Sequence, residues 1–310
     1  MADIIYSHGH CSDGFCAALI AKRRYPNAEV VFLDHGADHA ENLKKAEGKD
    51  VLMLDFSLRT REENDRLAAS ARNFLILDHH KTAEAVLASA PYAIFDMKRS
   101  GAGLAWDYLF GEVKLEIFVD GKPTGEFIEA ADPQPRPWYV DYVEDRDLWN
   151  WKLENSREVC AYLGTLEFEF EKWEFLDKID PYTAFLRGTG ALAHINHYVR
   201  EAVKQAIPGS MFSLSTAVLN VPYLNCSEVG NELAKTYQVS LTWFVRGDGI
   251  VQFSLRSIGD IDVSAIAKKF NGGGHKNAAG FQLPFTQAMD VIDRAVGKVR
   301  FAEPTKRCVS

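Results

Sequence analysis

No run of 18 apolar residues occurs anywhere in the 310-residue chain, which excludes a conventional membrane-spanning helix. An apolar leader is also missing from the N-terminus, so the expectation is a soluble cytoplasmic protein. Cysteine is scarce: Cys11, Cys16, Cys160, Cys226 and Cys308 form no CxxC pair, and their odd number supplies no disulfide framework. Excess positive charge is absent too. With 35 Lys and Arg against 43 Asp and Glu, the net charge of -8 argues against a protein that coats long nucleic acid by charge alone. A small phosphate substrate held through metal ions remains compatible with that balance. There is no internal repeat and no low-complexity tract.

What the chain does have is a set of apolar runs that stop on metal-capable side chains. Phe74 to His80 reads FLILDHH, so an apolar strand ends on Asp78-His79-His80. Val51 to Asp55 (VLMLD) ends on a carboxylate, and Asp3 to His8 ends on an imidazole before the sequence GHCSDG. Carboxyl ends of buried strands are where open α/β sheets place their ligand sites. A mixed carboxylate and imidazole cluster there suits divalent ions of intermediate softness, Mn²⁺ ahead of Mg²⁺, Co²⁺ or Zn²⁺.

The spacing of these runs predicts a parallel, doubly wound α/β domain. Strands are expected at Ile4 to His8, Glu29 to Leu33, Val51 to Leu54, Phe74 to Leu77 and Tyr92 to Phe95, with helical composition between them. Ser57 or Thr60 can cap the helix at Arg61 to Ala71. A mostly helical stretch follows, interrupted by an expected hairpin around Asp120-Gly121 and by the stiff loop Asp132 to Pro137. The Pro-Gly pair in Lys204 to Phe212 reads as a turn and hinge between domains, dividing residues 1–205 from a smaller α/β domain at 206–310. The active site is expected in the cleft between them.

In order, His8, Asp13, Asp55, Asp78-His79-His80 and then Asp145 or Asp147 resemble the DHH phosphoesterase superfamily, whose namesake motif stands here at 78–80. Gly272-Gly273-Gly274-His275 resembles the GGGH signature of the DHHA1 domain found after the DHH domain in part of that superfamily. The resemblance spans roughly residues 1–285 and implies a two-metal site. By that resemblance His8 would bind one metal and Asp13 the other, Asp55 would bridge them, and His79 and Asp145 would complete the second, with Asp147 as the alternative. His80 would sit beside the phosphate, and Asp78 would orient a histidine. The first motif departs from the common pattern, because Cys11 or Ser12 stands where many members carry a carboxylate; Cys11, His10 or water fills that position.

In the second domain three glycines free the backbone to bring amides close to a phosphate, and His275 adds a donor. Arg256, followed by Ser257, can contribute a forked guanidinium, and Asn277 a contact to a base or sugar. His35, His39, His194 and His197 read as ordinary surface or core histidines, and Trp138, Tyr139, Trp149 and Trp151 mainly as packing. Ser100 to Gly103 can lend amides to a phosphate or serve close helix packing. The resulting expectation is a phosphodiesterase with two divalent ions that cuts short oligonucleotides or dinucleotides to mononucleotides. A phosphomonoesterase on bisphosphonucleotides, an exopolyphosphatase and a catalytically silent nucleotide-binding module are the alternatives. No membrane partner is expected, and a homodimer is left open.

Overall fold

The computed structural model describes residues 2–111, 115–119, 122–128 and 133–297. The chain packs as two units, Met1–His194 and Ile195–Ser310. In the first unit, strands and helices alternate as β1 (Ile4–His8), α1 (Ser12–Arg24), β2 (Glu29–Leu33), α2 (Ala40–Lys44), β3 (Asp50–Leu54), α3 (Arg61–Ser70), β4 (Asn73–Asp78), α4 (Lys81–Leu87), β5 (Ala93–Phe95) and α5 (Gly101–Phe110). The five strands form one parallel sheet in the order β2-β1-β3-β4-β5. Such an order needs helical crossovers on both faces, and the strand side chains alternate accordingly. Ile5, Leu52, Leu54 and Leu77 pack with α1 and α5. Ile4, Tyr6, Val51, Met53 and Ile76 form the opposite core with Leu67 and Leu87.

Local sequence explains the helix starts. Thr60 caps α3 in a reciprocal capping box: its hydroxyl accepts from the Glu63 amide at 3.2 Å, and the Glu63 carboxylate accepts from the Thr60 amide at 2.8 Å. After α5 come the paired strands β6 (Leu115–Val119) and β7 (Lys122–Ile128), then α6 (Trp138–Asp147), α7 (Ser156–Leu163), α8 (Phe170–Glu174), a 3₁₀ turn at Phe175–Lys178 and α9 (Pro181–Val203). The expected turn residues Asp120-Gly121 lie outside the described residues, as do Asp132 and Cys308. Tyr139 is fully buried, and Trp138 and Trp151 pack against the same core, as packing residues should.

The second unit contains β8 (Ile207–Met211), β9 (Leu214–Asn220), α10 (Cys226–Ala234), β10 (Val239–Val245), β11 (Ile250–Arg256), α11 (Val263–Lys268), β12 (Gly273–His275), β13 (Ala278–Pro284) and α12 (Phe285–Val296). Its six-stranded sheet has the order β12-β13-β11-β10-β9-β8, antiparallel except for β9 beside β10. The division between units falls within α9, and Pro208-Gly209, expected as a turn, lies instead in strand β8. An edge strand tolerates proline because one side of it makes no ladder bonds. Gly209 is required there by packing, since a Cβ would sit 2.1 Å from the carbonyl oxygen of Ala295 in α12. Among the described residues, no helix is long and apolar enough to cross a membrane.

Candidate metal centre

In the first sheet the chain runs outward in opposite directions from β1 and β3, so the crevice beyond their carboxyl ends is the topological switch point. His8 ends β1, Asp55 follows β3, and Asp78 ends β4 with His79 and His80 directly after it. Asp55 adopts a left-handed backbone, φ 51°, which is uncommon for a residue other than glycine and costs on the order of 1–3 kcal/mol. Its amide still donates to the Leu77 carbonyl at 2.9 Å, so the turn is tied to β4.

The two carboxylate oxygens of Asp55 face different partners. Oδ2 lies 3.5 Å from His8 Nδ1 and 3.5 Å from Cys11 Sγ, and that sulfur is 3.4 Å from the same His8 nitrogen. Oδ1 lies 3.1 Å from His79 Nε2. His79 Nε2 is also 3.6 Å from Asp13 Oδ2 and 3.5 Å from Asp147 Oδ2. Two sets, His8-Cys11-Asp55 and Asp13-His79-Asp147, therefore each bring their ligand atoms within 4.8 Å of one another. Beside them, Asp78 Oδ1 accepts from the amides of His79 and His80 at 2.7 and 3.1 Å and pairs with His80 Nδ1 at 2.7 Å. Asp78 is buried and is geared to orienting its neighbours, while His80 is only partly covered.

Helix α5 holds Asp13. The amides of Gly101 and Ala102 donate to its two oxygens at 2.6 and 2.9 Å, placing a carboxylate at a helix N-terminus where the backbone dipole favours it. These amides, expected to serve a phosphate or helix packing, thus serve a side chain of the centre. Gly101 is needed for a second reason: a Cβ there would lie 2.4 Å from Asp55 Cβ. Ser100 caps the helix through the Gly103 amide at 3.1 Å, and its own amide donates to Glu144 at 3.0 Å. Arg99 and Arg136, both bound to Asp107 and Glu144, lock this segment against α6.

On α6 the two aspartates, expected as first choice and alternative for the metal, stand in different surroundings. Asp145 is buried and accepts from the amides of Lys152 and Leu153 and from the Ser156 hydroxyl, at 2.9, 3.2 and 2.6 Å. It fastens the turn between α6 and α7. Asp147, two residues on and therefore on another face of the helix, is the carboxylate that meets His79.

The charges of the cluster are out of balance without a cation. Burial pushes the Asp13 carboxyl well above the usual carboxylate range, and Asp55 and Asp147 push it the same way. Loss of solvation raises Asp147 as well, against the pull of His79 and with the push of Asp55. Asp55 goes the other way: despite its burial, hydrogen bonds to His79 and His8 hold it well below the usual range. Burial works against charge on His79, yet Asp147, Asp55 and Asp13 raise its imidazole well above 6.5. For His8, Cys11 and Asp55 outweigh the same penalty. Loss of solvation pushes the Cys11 thiol up to about 11, against the pull of His8. Two carboxylates pushed up for want of a counter-charge and a third held ionised between them, interleaved with imidazole and thiol, are a donor set that fits divalent metal ions.

His35 is a neighbour that its sequence context does not single out. Its ring stacks on Phe56, centroids 4.5 Å apart, and lies 5.2 Å from His8 and 6.4 Å from His80. Loss of solvation, His8 and His80 depress it to about 3, so it stays neutral beside the centre. His39 meets the far side of this group, edge-on to Phe56 at 6.2 Å.

In the second unit, Arg256 ends β11 and donates to Ser254, the Leu255 carbonyl and Ser227, each within 2.9 Å. Gly272 to Gly274 do not precede a helix. They lead into and form edge strand β12, where a Cβ at Gly272 would meet the Gly280 carbonyl at 2.1 Å and one at Gly274, φ 133°, the Ala278 carbonyl at 2.6 Å. His275 ends that strand. Asn277 donates to Ser257 Oγ, Gly259 O and Ile261 O, at 3.0, 3.1 and 3.4 Å, and Ser257 donates to Ile261 O at 2.7 Å. Both thus brace the loop after β11.

Residues 214–299 match the DHHA1 domain. Uncharacterized protein R106 of Acanthamoeba polyphaga mimivirus is 29% identical over 320 residues, covering 93% of this chain and 70% of that protein. Oligoribonuclease NrnB of Bacillus subtilis is 24% identical over 302 residues, covering 90% of this chain and 72% of that protein. Among solved structures, the pGpG-specific phosphodiesterase PggH from Vibrio cholerae aligns with a TM-score of 0.49 at 11% identity, over 94% of this chain and 97% of that one. Asp78-His79-His80 in the first unit and the DHHA1 match over residues 214–299 in the second are features the chain shares with the DHHA1-bearing part of the DHH phosphoesterase superfamily.

Proposed function

We propose that the protein is a metal-dependent phosphodiesterase that hydrolyses short oligonucleotides or dinucleotides to mononucleotides. The observation that carries this reading is the division of Asp55, one oxygen toward His8 and Cys11 and the other toward His79. A carboxylate shared in this way would serve two cations, with His8 and Cys11 holding one and Asp13, His79 and Asp147 the other. When bound, two divalent ions, with Mn²⁺ expected in the carboxylate-rich half, activate water and stabilise the charge that develops on a phosphate in an in-line displacement.

The protein's own groups have distinct tasks in this reading. Asp78 holds the plane of the His80 ring through Nδ1 at 2.7 Å, and His80 is the imidazole assigned to the phosphate. Asp13 is held still by the two α5 amides, so its carboxylate is oriented before any ion arrives. In the second unit Arg256 and His275 are the groups assigned to the anionic substrate, while Ser257 and Asn277 act through the loop they brace. The overall negative charge suits a short substrate held locally better than a long polymer. Oligoribonuclease NrnB, matched over 72% of its length, supports the same substrate class.

The test is product analysis by chromatography with the full chain and Mn²⁺, offering dinucleotides, cyclic dinucleotides, 3′,5′-bisphosphoadenosine and polyphosphate. Mononucleotides from the linear dinucleotides are expected, abolished in Asp55→Asn. Orthophosphate release from polyphosphate or the bisphosphate alone would refute the assignment, and no turnover of any of them with two metals bound would favour a binding module.

A further inference from the structure

We infer that the two halves of this centre take chemically different cations: a thiophilic ion at His8-Cys11-Asp55 and a hard ion at Asp13-His79-Asp147. The inference rests on reading the cluster as a two-cation site. Its basis is the position of one sulfur. Cys11 Sγ lies 3.4 Å from His8 Nδ1 and 3.5 Å from Asp55 Oδ2, so it belongs to the same small volume as the other donors. All three ligand atoms are within 4.8 Å of one another.

The sulfur is held there by backbone. Cys11 is the N-cap of α1 and accepts from the Gly14 amide at 3.2 Å. Gly14 permits the tight return, because a Cβ would lie 2.3 Å from the His8 carbonyl oxygen. Capping alone does not account for a cysteine, since Ser, Thr, Asp and Asn are the preferred N-caps. Nor does disulfide chemistry, because Cys11 is a free thiol. What cysteine adds is a soft donor facing an imidazole and a carboxylate.

Among the described residues, the Asp13-His79-Asp147 set contains no sulfur donor. It offers two carboxylates and one imidazole, with Asp55 Oδ1 as a third oxygen. Thiolate with imidazole suits Zn²⁺ or Co²⁺, whereas carboxylate oxygens suit Mn²⁺ or Mg²⁺. On ligation the thiol proton passes to solvent and the sulfur contributes one negative charge, so the first half gains a strong anionic ligand only when an ion is present.

Cobalt reads this directly. The metal-free full chain is titrated with Co²⁺ and followed by absorption in the near ultraviolet, where a thiolate bound to Co²⁺ gives a charge-transfer band. The expected result is a band that saturates with one of two bound Co²⁺ ions. Cys11→Ser, which keeps a good N-cap and so the fold, should lose the band while still binding Co²⁺ in the other half. Its preference for Cd²⁺ over Mn²⁺ should fall by more than about tenfold, a loss that even an outer-sphere partner of a metal ligand can cause. Cys11→Asp should restore two-ion binding with the preference reversed toward Mn²⁺. Two cobalt ions without the band, or a band that persists in Cys11→Ser, overturn the inference and leave the phosphodiesterase reading standing. A chain that binds no divalent ion overturns both.

Discussion

Gly101→Ala is the substitution whose outcome the local geometry and general propensity predict with opposite signs. In a helix, alanine is normally better than glycine by roughly 0.5–1 kcal/mol. Gly101 opens α5, but its missing Cβ is where Asp55 sits: the added atom would lie 2.4 Å from Asp55 Cβ, 2.8 Å from Cγ and 2.9 Å from Oδ1. Carbon atoms rest about 3.5–4.0 Å apart, so Asp55 or the start of α5 must move by roughly 1 Å. Overpacking of this kind costs about 1–3 kcal/mol, more than the helix gains. A misplacement of about 1 Å at a reacting centre costs roughly a hundredfold in rate. Oδ1 is the oxygen that faces His79, so the Asp13-His79-Asp147 half should lose Mn²⁺ affinity first.

Gly190→Ala is the matched control. That glycine lies within α9, and nothing stands within 4 Å of a Cβ placed on it. It should melt higher than the parent by an amount reflecting about 0.5–1 kcal/mol, with activity and metal binding unchanged. Thermal melts, Mn²⁺ titration and dinucleotide turnover on the two variants make the comparison. If Gly101→Ala also melts higher and keeps its Mn²⁺ affinity and turnover, the packing of Gly101 against Asp55 is not what holds the centre, and the reasoning fails.

Asp145→Ala should lower stability by about 2–3 kcal/mol, because it strands buried donors, and leave Mn²⁺ affinity near wild type. Asp147→Ala should do the reverse, and equal metal loss in both would contradict the division between them. His80→Ala should retain metal while losing most turnover, whereas Asp55→Ala loses both, as read by metal analysis beside the chromatographic assay. For pH, His8 and His79 are raised above 6.5, so the metal-free folded state binds more protons than the unfolded chain. Their stabilisation is complete below about pH 6.5 and is lost as pH rises through the folded values. Asp13 and Asp147, raised from 3.8, act in the same direction from lower pH, whereas Asp55 and Asp78 oppose them at acid pH. Mn²⁺ competes with those protons and binds more tightly as pH rises. Melts from about pH 6 to about pH 9 should therefore fall in chelator and rise in Mn²⁺, and parallel curves would count against the cluster as the titrating unit.

The parts of this molecule legible in the sequence are those whose signal is local. Apolar runs ending on His8, Asp55 and Asp78 could be read as strands because β1 and β3 are buried along nearly all of their length and β4 over its last three residues, and the sheet then brings those ends to one switch point. The Asp145 and Asp147 pair could not be resolved, because the choice depends on the turn after α6. Trp149, Trp151 and Asn155 adopt left-handed backbones there, φ 53–56°, without a glycine to announce them, and that turn aims the amides of Lys152 and Leu153 at Asp145. Strands β8 and β12 were hidden for a related reason. Proline and glycine normally mark turns, but here they stand on the two edges of a sheet, where neighbouring carbonyls leave no room for a side chain. His35 was beyond reach as well, since a lone histidine after a half-exposed strand carries no pattern until Phe56 and His80 are placed beside it. Glycine at 101 belongs with these cases: helix propensity alone would advise replacing it, and only the approach of Asp55, distant in sequence and adjacent in space, says that it cannot be replaced.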